Sequence, residues 1–144
     1  ALAGCAALHT LDLAECDGLT DISLLVLAGC PALHTLNLYN CEGVTDVTAL
    51  AGCASLHTLD LSHNEGLRDV SALAGCPALH TLKLSYCEGV TDVSALAGCA
   101  SLHTLDLSHN KGLRGVSGRA GLVCTHPDLQ GRHGVAPKSL WRSW

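Results

Sequence analysis

From Leu8 to Ser117 a unit of 23 residues recurs, typified by Leu56 to Ala78, LHTLDLSHNEGLRDVSALAGCPA, with copies beginning at Leu8, Leu33, Leu56, Leu79 and Leu102. Residues 1–7, ALAGCAA, read as the tail of a further copy. A fixed period of this length means that no unit buries its apolar side alone, so neighbours must stack into an elongated array of layers. The amino acids suit such an array. Hydrophobic residues make up 48%, yet there is no Phe, no Met and only two Tyr and two Trp. Leu, Val, Ala and Cys fill identical thin layers better than a globular core keyed by a few large rings.

Each unit opens on LHTLxL. Leu at the first, fourth and sixth positions fall on one side, and Thr at the third and a varying residue at the fifth fall on the other. Alternation over so short a run predicts a strand with one buried face. Every copy then has a Gly (Gly18, Gly43, Gly66, Gly89, Gly112), expected to serve a tight turn. Asp46, Asp69 and Asp92 precede a short apolar segment, where a carboxylate can cap a single helical or 3₁₀ turn. About seven residues remain there, too few for an α-helix of average length.

Nine cysteines are present, an odd number, and their spacing follows the repeat with no CxxC pair. Cys16, Cys41 and Cys87 hold the ninth position; Cys30, Cys53, Cys76 and Cys99 close their units. Both slots should point inward, where a thiol packs as a small hydrophobe. Free thiols in this number predict a reducing home, cytoplasmic or nuclear. No signal peptide is evident, and no apolar run approaches the ~18 residues of a membrane span. Residues 1–117 hold 4 basic against 12 acidic residues, and residues 118–144 hold 4 against 1. An acidic repeat body argues against nucleic acid or an anionic membrane as partner, since both select clustered positive charge.

The pattern LxxLxLxx(N/C)xL across residues 2–117 resembles the leucine-rich repeat family, five consecutive copies holding the motif in register. The TDVSAL half is similar to the short repeats of bacterial internalins and of a protein-phosphatase regulatory subunit. The ninth-position Cys and the (V/L)TD segment are similar to the cysteine-containing repeats of F-box proteins. The resemblance implies an α/β solenoid: a parallel sheet on the concave side, 3₁₀ or helical turns on the convex side, and a ladder of side chains bonding the backbone inside. On that implication the ladder is Cys16, Cys41, Asn64, Cys87 and Asn110, with the thiols the weaker donors.

A longer period overlies the first. CASLHTLDLSHN occurs identically at 53–64 and 99–110, 46 residues apart. Copying of pairs of units explains many recurrences without any appeal to function. The motif fails at Gly118, and residues 118–144 read as a non-repeat basic tail, disordered or poorly capping through Leu122, Val123, Trp141 and Trp144. Apolar end layers left bare predict end-to-end self-association.

Candidate chemistry is thin. His9, His34, His57, His80 and His103 form a column, whose neighbours could share a transition metal or gain charge together below about pH 6.5. Duplication of one surface histidine is the simpler account of the column and the preferred one. Asp60, Ser62 and His63 lie close in sequence, but alternation separates them and no oxyanion donor accompanies them. No metal, cofactor or enzymatic activity is therefore implied. The outward positions vary while the framework is held: Asp12, Asn37, Asp60, Lys83 and Asp106 at the fifth, Tyr39 at the seventh, His63 and Tyr86 at the eighth. Variable residues on a rigid scaffold are where a repeat protein carries specificity. The expected function is a non-enzymatic module binding a protein on this face, and F-box resemblance implies substrate recognition in a ubiquitin ligase. A structural array without a dedicated ligand is the alternative.

Overall fold

The computed structural model describes residues 5–22 and 29–113 and the backbone of residues 123–125. Three residues of each unit are extended: β1 (Thr10–Asp12), β2 (Thr35–Asn37), β3 (Thr58–Asp60), β4 (Thr81–Lys83) and β5 (Thr104–Asp106). They pair in sequence order, all parallel, with the same repeat position opposite itself in every pair. The molecule is the leucine-rich-repeat solenoid implied above, its sheet concave and its 3₁₀ turns convex.

The repeat period sets which side chains turn inward. In the central units Leu33, Leu36 and Leu38 are buried, as are Leu56, Leu59 and Leu61 and then Leu79, Leu82 and Leu84. Beyond the strand an inward residue comes every third position: Cys41, Val44, Val47, Leu50 and Cys53 in the second unit, all buried. A coil that turns a corner every three residues presents one side chain per corner to the axis. Full burial of each Leu contributes roughly 1.5–3 kcal/mol, repeated in each layer. In the first unit Leu8, Leu11, Leu13, Cys16 and Leu19 are only partly buried.

On the side opposite the sheet lie 3₁₀ turns at Thr48–Leu50, Ser71–Gly75 and Ser94–Gly98. Their cap differs by one residue from the sequence expectation. Val47, Val70 and Val93 occupy the N-cap position, with the aspartate one residue earlier. The backbone N–H groups of Thr48, Ser71 and Ser94 donate to the Oδ1 atoms of Asp46, Asp69 and Asp92 at 2.7, 2.8 and 2.7 Å. Each is an Asx-turn that fixes the entry to the 3₁₀ segment. The backbone donor, followed by the Ser71 or Ser94 side chain, holds the Asp69 and Asp92 carboxyls below their ordinary range.

Two ladders of side chains join the layers internally. From the second unit onward the ninth-position residue donates to the sixth-position carbonyl of the unit before; Cys16, in the first unit, has no preceding described layer to reach. Asn64 Nδ2 reaches the Leu38 oxygen at 2.9 Å and Asn110 Nδ2 the Leu84 oxygen at 2.7 Å. Cys41 Sγ reaches the Leu13 oxygen at 3.1 Å and Cys87 Sγ the Leu61 oxygen at 3.0 Å. Asn64 also donates to the Leu61 oxygen of its own unit at 2.7 Å. The second ladder was not foreseen, because sequence alone makes the last cysteine of each unit an apolar filler. Cys76 Sγ donates to the Leu50 oxygen at 3.1 Å, and Cys99 Sγ to the Leu73 oxygen at 3.4 Å. Burial pushes the Cys76 and Cys87 thiols up to about 11, which keeps them protonated and donating.

Among the described residues Gly52 has positive φ, so the glycine column does not serve a left-handed turn; at Gly43 and Gly89 it serves close approach between layers. A Cβ on Gly89 would stand 2.5 Å from the Leu67 carbonyl oxygen, and one on Gly43 2.8 Å from that of Leu19. At Gly18, in the first described layer, it would meet nothing within 4 Å, and at Gly112 only a methyl group at 3.6 Å.

The sheet also runs past the end of the repeat motif. A sixth strand, β6 (Val123–Thr125), pairs with β5, Val123 opposite Thr104. The register skips four residues, since a full unit would bring Pro127 to that place. Strand β6 falls within the region 118–144 that the sequence reads as a non-repeat tail. The proposed cap by Leu122, Trp141 and Trp144 lies outside the described residues.

Two expectations follow from the packing. Gly89→Ala should destabilise the chain by about 1–3 kcal/mol in urea unfolding, while Gly112→Ala should change it little. Asn64→Ala should cost about 1–3 kcal/mol for each carbonyl left unpaired, and Asn64→Cys markedly less, because Cys41 and Cys87 already fill the slot.

Candidate binding surface

The surface is built from the positions that alternate outward along the strands and through the turn after them. At the fifth position the side chain has a local duty. Oδ1 of Asp12, Asn37, Asp60 and Asp106 accepts the backbone N–H two residues on, each at 3.0 Å. This Asx-turn steers the chain out of the strand and is a structural reason for Asp or Asn there. Lys83 breaks the pattern and instead pairs with Asp60 Oδ2 of the neighbouring strand at 3.2 Å. At the seventh position Ser108 Oγ donates to Asp106 at 2.7 Å, whereas the Ser62 hydroxyl is buried without a hydrogen-bond partner.

The eighth position is backbone-constrained in every unit. Glu15, Asn40, His63, Tyr86 and His109 have φ between 51° and 64°, in the left-handed region. Asn tolerates this conformation, but the other side chains are placed there at a cost. The backbone explains why the conformation persists: N–H groups of Glu15, Asn40, His63 and Tyr86 donate to the next layer's seventh-position carbonyls at 2.8–3.0 Å. The left-handed turn carries the interlayer hydrogen bonding beyond the strands.

Rings brought into register by the repeat must stack. Tyr39 meets His63 with centroids 5.1 Å apart and planes tilted by 58°, His63 meets Tyr86 at 4.4 Å, and Tyr86 meets His109 at 4.1 Å. Tyr86, in the middle, is 38% exposed, the one exposed large hydrophobic side chain among the described residues. A second stack lies at the strand entrance, where His34, His57, His80 and His103 are nearly parallel at 4.6, 4.7 and 5.0 Å. Their Nδ1 atoms lie 3.2–3.3 Å from the hydroxyl of the following Thr. His9 stands apart, with Nδ1 donating to the Ala32 carbonyl at 3.1 Å. Among the described residues no three His, Cys, Asp or Glu side chains converge in a way that would hold a metal ion.

The fifth-position set thus forms a line of turn-forming side chains, and Tyr39, His63 and Tyr86 form one ring column with His109. An acidic column at the tenth position, Asp17, Glu42, Glu65 and Glu88, escaped the sequence reading although its period was visible. All four residues are exposed. The described residues hold 12 acidic side chains and three basic ones, of which Lys83 and Lys111 are paired with Asp60 and Glu88.

The His stack has a proton-linked consequence. Burial first, then the flanking His34 and His80, lower the pKa of His57. A histidine whose folded pKa lies below its unfolded value contributes stability above the unfolded pKa, near 6.5, which is lost as pH falls toward the folded value. The urea midpoint should therefore fall on acidification from about pH 7.5 through about pH 6.5, and His57→Gln should flatten that dependence. A midpoint that rises on acidification would contradict the lowered pKa of His57.

With the geometry in place, comparison with known proteins assigns the family. A model of paired leucine-rich repeats matches residues 6–52 and 54–98, and a single-repeat model matches residues 98–120. No curated protein sequence matches at a significant level. Similar solved structures include two internalins of Listeria monocytogenes: inlF, with 26% identity and a TM-score of 0.63, and inlC2, with 28% identity and a TM-score of 0.59. They cover 74% and 75% of this chain, which spans 29% and 50% of theirs. A third is TLR13, solved in complex with the RNA ssRNA13, with 30% identity and a TM-score of 0.52; the match covers 74% of this chain and 16% of that one. The family matches and the register of the layers agree: the chain belongs to the leucine-rich repeat family.

Proposed function

We propose that the chain is a non-enzymatic interaction module whose concave face binds another protein. The observation that carries this reading is the ring column on the rim of that face, with Tyr86 exposed at its centre. The strands and the two ladders hold the inner layers together by backbone and side-chain hydrogen bonds. The exposed ring column goes beyond what that framework needs, and Tyr is enriched where interfaces concentrate their energy. The acidic surface favours protein over RNA, although RNA is the ligand in the TLR13 complex.

The finer reading is substrate recognition in a ubiquitin-ligase context, in the cytoplasm or nucleus. Its supports are the cysteine donors in the ladder slot and the eight free thiols among the described residues. A structural array is the second reading. It is favoured by the Asx-turns, which account for most fifth-position residues without any ligand.

The test is affinity capture from lysate with residues 1–144, read by mass spectrometry, against a variant carrying Tyr39→Ala, Asp60→Asn and Tyr86→Ala. Asn is chosen at 60 because it retains the acceptor for the Ser62 N–H. Proteins held by the parent and lost from the variant are expected. Identical captures from both chains would leave the concave face unused and favour the array.

A further inference from the structure

Three features stand outside the framework: the thiol columns, the imidazole stack and the acidic rim beside the ring column. The thiols of Cys41, Cys76, Cys87 and Cys99 are engaged as buried donors, and the imidazoles of His34, His57, His80 and His103 cover one another's faces. On the rim Glu88 pairs with Lys111, while Asp17, Glu42 and Glu65 are exposed, and the rim is chemically specific. Positions eight and ten lie on either side of the inward ninth, so the two columns run in parallel: His63 with Glu65, Tyr86 with Glu88 and His109 with Lys111 in the same units. The ring faces are covered by one another at 4.1–4.4 Å, so the column presents its edges as a narrow apolar strip. The columns at the fifth and tenth positions are mostly carboxylates, interrupted by Lys83, which pairs with Asp60, and by Lys111, which pairs with Glu88. Next to it, on the side of the strand that bears Asp60, the Ser62 hydroxyl is 4% exposed and has no partner in the protein. It is a desolvated group that the framework leaves without a bond.

We infer that the partner docks through an extended, basic segment lying along this strip, a conclusion that rests on the protein-binding reading above. Arg and Lys have the required chemistry. Their methylene stems lie across apolar ring edges while the cationic head reaches a carboxylate. Five layers at about 4.8 Å span about 19 Å, the length of some six extended residues. An acidic partner segment is excluded by like-charge repulsion along both flanks. Association is fast at low salt and slows as salt screens the rim.

The probe is a fluorescein-labelled peptide of about ten residues alternating arginine and serine, with a glutamate–serine peptide as the charge-reversed control. Anisotropy is read at about 50 mM and about 300 mM NaCl. The basic peptide should bind and the acidic one should not. Glu42→Gln, Glu65→Gln and Glu88→Gln together should weaken binding roughly tenfold, and Tyr86→Ala several-fold. Asp46→Asn, Asp69→Asn and Asp92→Asn remove the same charge from the 3₁₀ side while keeping the Asx acceptors, and should change affinity less than about twofold. Circular dichroism melting confirms that each variant is folded. No binding at the lower salt, binding of the acidic peptide, or equal losses from the two triple variants would overturn the proposal. Proteins captured by the parent chain and lost from the concave-face variant, yet not displaced by the basic peptide, would also overturn it. That last result would leave the interaction module standing.

Discussion

The carbonyl that turns inward at the end of each strand is the constraint on which the rest depends. Water cannot reach it, so each layer must bring a donor to the layer before. Asn64 and Asn110 do so with an amide and Cys41 and Cys87 with a thiol, at distances between 2.7 and 3.1 Å. A buried carbonyl without a donor costs about 1–3 kcal/mol, comparable to burying a leucine. The ladder therefore decides whether layers stack in register, and the register decides everything outside. Same-position pairing across all the strands follows from it, as do the convex cysteine ladder and the close approach at Gly43 and Gly89.

Strict register converts a sequence column into a physical object. A leucine column becomes a continuous core, and a histidine column becomes parallel rings less than 5.1 Å apart. A glutamate column becomes a charged rim. Duplication that began as simple copying thus produces surfaces with collective properties, and the lowered pKa of His57 is one of them. The left-handed eighth position shows how little freedom the outer residues keep: their side chains vary, but one backbone conformation is imposed on all of them by the interlayer hydrogen bonds.

Much of the surface was readable from the chain, though the reasons for it were not. The fifth-position acids were legible as an outward column, but their Asx bonds depend on the turn geometry after the strand. The glycines were legible as obligatory, but a tight-turn argument does not separate Gly89 from Gly112. The difference lies in which backbone atoms of the previous layer stand nearby. The ring column spans the seventh position at Tyr39 and the eighth at His63, Tyr86 and His109, so no single repeat position announces it.

The sequence by itself determined the architecture, because a 23-residue period with inward leucines admits one way of burying its apolar side: stacking. It also determined which residues face out, since alternation and the three-residue corners set direction locally. Tertiary structure alone decided what those residues do there. Stacking distances, cysteine donors to Leu50 and Leu73, the salt bridge from Lys83 to Asp60, and the entry of Val123–Thr125 into the sheet are all relations between layers. They depend on distances of a few ångströms between residues more than twenty positions apart in most cases, which no local pattern encodes.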